Sequence, residues 1–312
     1  MTKRLFIFAG YDKQGVIDNT LLHYLSCLSD LGDIILCMDS DVTKGELAKL
    51  KSITNLLHVS AERHDEYDFG SYKRGFQYAK TNKLLNKYDW VYFVNDSVYG
   101  PLWDIKPVLT NLESRGVDLI GMIDYMNKET PIQVQSWFVG MTKRVVNEQF
   151  FADFMNGVTH QINKQLIVLK YEVGLSQIIL RHGYKMSTWV SGQDGRICHS
   201  MYKEPLEMLK CGVPFVKKAG LVNLNGIQFL YSFTTDKIVD DIANYVTRNK
   251  LMLVDIMQKP QYTKCFRLTL LGLPIITIYR QNSTQYVTNY KLYLLDKIPI
   301  LKLALNKENP TS

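Results

Sequence analysis

An α/β fold built on a mostly parallel sheet is what this sequence predicts, and three observations carry the prediction. Short apolar runs alternate with amphipathic segments from the start to about Lys217, the rhythm of βαβ units. The run Trp90-Val-Tyr-Phe-Val94 is apolar at every position, as a strand covered on both faces must be. It stops abruptly at Asn95-Asp96-Ser97, and in open α/β sheets ligands sit outside the carboxyl ends of such strands.

Leu5 to Ala9 reads as the first strand, Val16 to Leu31 as a helix and Asp33 to Met38 as the second strand. Thr43 to Ser52 is helical, with Lys and Glu on its outer face, and Asn55 to Val59 is a short third strand. Tyr67-Asp-Phe-Gly-Ser-Tyr-Lys-Arg-Gly75 opens a helix running to about Lys87, with Gly70 and Ser71 as turn and cap candidates. After the Trp90–Val94 strand come a helix at Ile105 to Arg115, strands at Leu119 to Ile123 and Gln135 to Val139, and helices at Arg144 to Phe154 and Val173 to His182. Beyond Lys217 the alternation fades into a helical connector at about Thr235 to Met257. A repeat follows, Phe266-Arg-Leu-Thr-Leu-Leu-Gly-Leu-Pro-Ile-Ile-Thr-Ile278 against Tyr290-Lys-Leu-Tyr-Leu-Leu-Asp-Lys-Ile-Pro-Ile-Leu-Lys-Leu303, suited to two short strands or a strand and turn. The expected organisation is an α/β core over 1–225, a connector over 226–262 and an apolar, basic appendage over 263–312.

With 312 residues, 46% hydrophobic and 21% charged, the chain has the makeup of a globular protein rather than a disordered or fibrous one. A formal charge of +7 suits an anionic partner, either a phosphorylated substrate or an anionic membrane face. Nucleic acid fits poorly, because there is no basic block, zinc-finger spacing or RNP-like signature. Cys27, Cys37, Cys198, Cys211 and Cys265 are scattered, without a CxxC pair, which fits a reducing compartment. The amino terminus starts like a signal peptide, but its apolar run meets Gly10, Tyr11 and Asp12 too soon and reads as a strand. No apolar stretch approaches the roughly 20 residues of a spanning helix. The expectation is a cytoplasmic protein, with peripheral attachment to the cytoplasmic face of the inner membrane left open.

The segment from Asp68 to Pro101 carries the most chemistry: a polar loop, a helix, a buried strand and a polar stop. A diphosphate wants backbone N–H groups at a helix start and positive side chains. Asp68, Gly70, Ser71, Lys73 and Arg74 offer a tight turn, donors and charge. Asp96, flanked by Asn95 and Ser97, can hold a divalent metal (Mg2+ or Mn2+) against phosphates or orient sugar hydroxyls, and its plainer reading is an Asx-turn. Tyr11 and Asp12 follow the first strand, the usual seat of a nucleotide base and ribose, with ordinary loop solvation as the alternative. Lys217 and Lys218 either reach the diphosphate or are surface charge. Gln135, Ser136 and Trp137 offer an amide, a hydroxyl and a stacking ring to an acceptor sugar, although a strand Trp is more often core.

Six ordered segments resemble the rhamnan synthesis F family: Tyr11-Asp-Lys-Gln-Gly15, Tyr67-Asp-Phe-Gly-Ser-Tyr-Lys73, Asn95-Asp-Ser-Val-Tyr-Gly-Pro101, Gln135-Ser136, Tyr171-Glu-Val-Gly-Leu-Ser-Gln177 and Pro214-Phe-Val-Lys217. The resemblance covers roughly residues 3 to 220. It implies a GT-A-like fold, a mixed, mostly parallel sheet flanked by helices. It also implies a glycosyltransferase using a nucleoside-diphosphate sugar, dTDP-L-rhamnose in particular, with inversion, onto a lipid-linked glycan acceptor. By the same resemblance Asn95-Asp96-Ser97 stands where such enzymes carry a metal-binding D-x-D motif, here with one acid, and His199 is the candidate late metal ligand. Glu172 becomes the first choice for the base that takes the acceptor proton, with Asp124, at the end of its own strand, as rival; a charge at a helix start is the bland reading of Glu172. The tail, with Arg267, Lys291, Lys297 and Lys302, suits an acidic lipid surface or a β-appendage packed on protein. A nucleotidyltransferase and a non-catalytic sugar-binding or assembly module are the competing functions.

Overall fold

The computed structural model describes residues 2–126, 130–191, 201, 205–221, 227–253, 263–270, 273–282, 287–294 and 298–306. They fall into two units, Met1–Thr247 and Arg248–Ser312.

The first unit is organised around β1 (Arg4–Gly10), buried at every position. Parallel partners lie on both sides, β2 (Asp33–Met38) and β4 (Trp90–Asn95), and β3 (Leu56–Ala61) extends the parallel half beyond β2. After the two-residue β5 (Val98–Tyr99) come β6 (Leu119–Tyr125), β7 (Gln133–Val134), β8 (Phe138–Thr142) and β9 (Met186–Val190). The sheet runs β3-β2-β1-β4-β8-β6-β7, with β9 also paired to β6, in parallel; β8 is antiparallel to both its neighbours. This is the mixed, mostly parallel sheet expected.

Residues alternate between the two faces of the sheet as the two-residue strand period requires. Phe6 and Phe8 join Tyr92, Leu36 and Ile120 in one core, and Leu5, Ile7 and Ala9 join Phe93, Ile35 and Met141 in another. Helices α1 (Asn19–Ser29) and, later, α4 (Lys106–Glu113) cover the first face with Leu21, Leu25, Leu28, Leu109 and Leu112. The short α2 (Lys44–Ala48) continues as a 3-10 turn through Ser52. The opposite face is covered by α3 (Tyr67–Thr81), by α6 (Gln149–Asn156), which follows the short α5 (Lys143–Val146), and by a helical run from Lys164 to Arg181. That run comprises α7 (Lys164–Ile167), a π-helical stretch Val168–Val173 and α8 (Gly174–Arg181).

Several sequence expectations are corrected. Helix α3 ends at Thr81 rather than Lys87, and Gly70 lies inside it rather than at a turn; a Cβ there would stand 2.3 Å from Glu66 Cβ and 2.8 Å from the His64 ring. Gly75 plays the same part against the sheet, where a methyl would meet Ile7 Cγ2 at 2.3 Å. Residues 135–137 form a turn rather than a strand, since Gln135 N–H donates to Ile123 O and Asn95 N–H to Trp137 O. The helix expected over 144–154 is two helices, and the one expected from Val173 begins at Lys164.

A smaller apolar cluster gathers Tyr99, Leu102, Val216, Leu230, Val239, Ile242 and Val246 around the ribbon that β10 (Val216–Lys217) makes with β5, and along the helix Asp236–Leu253. The second unit holds an antiparallel sheet of four strands, β11 (Thr263–Leu270), β12 (Leu273–Asn282), β13 (Val287–Leu294) and β14 (Ile298–Asn306), in that order. Each repeat copy is thus a β-hairpin rather than a strand and turn. No helix among the described residues is long and apolar enough to cross a membrane.

Candidate active site

A cavity of about 890 Å3 opens at the carboxyl ends of β1 and β4, where Ala9, Gly10 and Asn95 form its floor. Its wall is completed by the first turn of α3, the turn 135–137, the π-helical stretch and the segment 217–219. This is the edge at which a parallel sheet presents its strand-end loops to a ligand.

The β5–β10 ribbon explains how Lys217 and Lys218 arrive there. Antiparallel pairing sets Lys217 opposite Val98, and Lys218 N–H donates to Ser97 O, so two residues more than a hundred positions downstream flank the strand end. Lys217 Nζ donates to Ser97 Oγ at 2.9 Å and stands 5.4 Å from the Trp137 ring centroid. Ser97 Oγ donates onward to Asn95 Oδ1 at 2.6 Å, and Asn95 Nδ2 donates to Asp68 Oδ2 at 3.0 Å. Lys217, Ser97, Asn95 and Asp68 therefore form one hydrogen-bonded chain along the cavity floor.

Asp96 sits beside this chain. Its Oδ2 accepts from Tyr11 N–H at 3.1 Å and lies 3.9 Å from Lys218 Nζ, whose ammonium also stands 4.2 Å from the Tyr245 ring centroid. Burial raises the Asp96 carboxyl above its ordinary range, against the pull of Lys218 and the Tyr11 N–H. For Lys218 burial works the other way, but Asp96, Tyr245 and Asp18 outweigh it and the ammonium is held above its ordinary value.

Burial, with the neighbouring Glu172, pushes Asp68 up to about 6, despite Phe69 N–H, Lys217 and Lys164. Burial likewise brings Lys217 down to about 8, partly offset by Glu172 and Asp68. Glu172 rides on the π-helical stretch, not at a helix start. Its Oε2 accepts from Ser136 N–H at 3.0 Å and from Ser136 Oγ, and Ser136 O in turn accepts from Tyr72 OH at 2.9 Å. Oε1 has no hydrogen-bond partner among the described residues, which leaves it for a ligand. Trp137 is buried yet lines the cavity, with Nε1 donating to Gln135 Oε1 at 2.9 Å. Ser71, also on the wall, bonds His64 Nε2 at 3.0 Å.

Of the residues singled out from the sequence, Tyr11, Asp68, Ser71, Asn95, Asp96, Ser97, Gln135, Ser136, Trp137, Glu172 and Lys217 all line this one cavity. Others do not. Lys73 donates to Val158 O at 2.7 Å, and Arg74 bonds Glu66 at 2.6 Å and Gly70 O, so both bases are committed to α3 and its surroundings. Asp12 turns its carboxylate back on Gln14 N–H and Val16 N–H, capping the loop. Asp124 is 4% exposed, accepts from Thr188 Oγ1 and Ser191 Oγ, and does not line the cavity. His199 lies outside the described residues. Among those described, no group of three His, Cys, Asp or Glu side chains could hold a metal ion, and at the D-x-D position Asp96 is the one carboxylate.

Sequence reasoning missed Arg63, His160, Lys164 and Tyr245, which also line the cavity. Two left a trace. Arg63 comes just after a parallel strand ends, and Lys164 is eight residues ahead of Glu172 on one helical run, two turns away.

The sequence model of the rhamnan synthesis protein F family matches residues 34–292. The chain belongs to that family. Membership bears out the resemblance, and five of the six motifs lie within the matched span. Among curated proteins no sequence matches this chain. Two solved structures are similar at low identity. One is core-mannan synthase A (CmsA/Ktr4) from Aspergillus fumigatus in its Mn/GDP form, 11% identical with a TM-score of 0.27, covering 50% of this chain and 63% of that one. The other is TarS from S. aureus, 12% identical with a TM-score of 0.33, covering 100% of this chain and 70% of that one. The chain thus spans less than two thirds of the length of the core-mannan synthase.

Proposed function

We propose that this family member transfers a sugar, L-rhamnose from dTDP-L-rhamnose, onto a lipid-linked glycan, with inversion at the anomeric carbon. The observation that carries the reading is a single cavity lined both by two lysines and by a carboxylate that is anchored through one oxygen, with the second unbonded among the described residues. The acceptor hydroxyl oxygen forms a bond to the anomeric carbon as the bond from that carbon to the diphosphate oxygen breaks. Glu172 Oε1 takes the hydroxyl proton. The diphosphate leaves with the electron pair, its charge met by Lys217 and Lys218. One displacement inverts the centre, so a β-configured donor yields an α-linkage. Ser136 holds the base in place, and Gln135 and Trp137 line the acceptor side.

In this reading residues 1–225 are catalytic, 226–262 connect and 263–312 are an appendage that holds the enzyme on anionic lipid at the cytoplasmic membrane face. Co-sedimentation with anionic and neutral vesicles at low and high salt tests the appendage; equal sedimentation after deletion from Pro260 would contradict it. Incubation with labelled dTDP-, UDP- and GDP-sugars tests the chemistry. Turnover of a dTDP-sugar supports the proposal, turnover of another donor corrects the sugar, and binding of sugar without any turnover favours the assembly-module alternative.

A further inference from the structure

The three side chains that end β4 are already occupied, and two lysines occupy them. In Asn95-Asp96-Ser97 the outer pair is joined internally, Ser97 Oγ to Asn95 Oδ1, and Ser97 Oγ also accepts from the Lys217 ammonium at 2.9 Å. The one acid, Asp96, gives Oδ2 to Tyr11 N–H and faces the Lys218 ammonium at 3.9 Å. Both ammonium groups line the cavity, and Lys217 is only 8% exposed. A divalent ion at this place needs several oxygen ligands within about 2.0–2.6 Å. Bridging these three residues would bring such an ion one carboxylate and two neutral oxygens, with two ammonium groups beside it.

We propose that Lys217 and Lys218 stand in for a divalent metal at the donor diphosphate, so that nucleoside-diphosphate binding here is independent of metal. The inference rests on the donor site proposed above. A lysine ammonium delivers charge and up to three N–H donors to phosphate oxygens without needing ligands of its own. Its two positions are fixed before the ligand arrives, Lys217 by Ser97 and Lys218 by Asp96 and the Tyr99 and Tyr245 rings. Preorganisation of that kind lowers the cost of binding. Asp96 in this scheme positions Lys218 and touches no phosphate.

The test is calorimetric titration of the full chain with dTDP, UDP and GDP, after stripping with EDTA and again with Mg2+ or Mn2+ added. Binding of at least one diphosphate within about threefold with and without metal, and a loss of about tenfold or more in Lys217→Gln and Lys218→Gln, is the expected result. Lys217→Arg should keep most of the affinity, and melting curves of all variants separate lost charge from lost fold. Binding that appears only with metal, or that survives both lysine substitutions, overturns the inference while leaving the donor site standing. Absence of binding by any of the three diphosphates, with or without metal, overturns the donor site and the inference together.

Discussion

Two adjacent pairs of bases in this chain meet opposite fates. Lys73-Arg74 lies within the segment richest in apparent chemistry, yet Lys73 reaches Val158 O and Arg74 pairs with Glu66, so both charges serve to fix α3. Lys217-Lys218 lies far downstream of that segment, yet a two-residue ribbon carries it to the end of β4 and into the cavity. The carboxylates divide likewise: Asp124 caps the end of β6 against Thr188 and Ser191, whereas Glu172 faces the cavity from a π-helical stretch. Such stretches are enriched at functional sites. What a charged side chain does is set by which partner the tertiary fold brings to it first, and a neighbour in sequence says little about that.

The largest expected effect separates the two carboxylates. Glu172→Gln should lower turnover by about 10²–10⁴-fold with dTDP affinity little changed, since a base acts in the transition state. Asp124→Asn should instead lower stability by about 1–3 kcal/mol through its buried hydroxyl partners, with turnover per folded molecule near wild type. Steady-state kinetics and chemical denaturation on both variants check this. A reversed pattern would make Asp124 the base.

Next comes the cost of the cavity itself. Asp68 is held protonated up to about pH 6, above its ordinary value of 3.8, so it supports the folded state below pH 4 and that support is lost as pH rises through about 6. Asp68→Asn removes the ionised burden and should be more stable than wild type at pH 7.5 by about 1–3 kcal/mol, an advantage that shrinks towards pH 4. Denaturant titrations at the two pH values measure it. A variant less stable at pH 7.5 would mean that the carboxylate is satisfied by its surroundings.

A smaller effect distinguishes the lysines by pH. Lys217 titrates at about 8, so its charge is present below that value and lost above it. Affinity for dTDP should therefore weaken between pH 7.5 and 9, and Lys217→Arg, charged throughout, should flatten that slope. The smallest effect is expected at Lys73→Gln, where dTDP affinity should stay within about twofold of wild type.

Much of the sheet was legible because complete burial on two faces leaves apolar runs such as Leu5–Ala9 and Trp90–Val94 that nothing else explains. The floor of the site was legible for the same reason: Asn95-Asp96-Ser97 interrupts such a run at its carboxyl end. What stayed hidden depended on partners distant in sequence. The ribbons of two residues, β5 and β10, have no periodicity to detect, so the arrival of Lys217 beside Ser97 could not be foreseen. Gly70 looked like a turn because close helix packing and turns call for the same residue. In the tail, each copy of the repeat suited two short strands or a strand and turn, and the structure has two strands per copy, with Pro274 and Pro299 inside β12 and β14.

The most direct test of the central claim, that the cavity under Lys217 and Glu172 performs glycosyl transfer, is turnover of labelled dTDP-L-rhamnose by four proteins side by side: wild type, Glu172→Gln, Lys217→Gln and Lys73→Gln. The account predicts turnover by wild type and Lys73→Gln, and loss of at least about tenfold in the other two. Equal activity in Glu172→Gln and wild type, or loss in Lys73→Gln as deep as in Lys217→Gln, would contradict it.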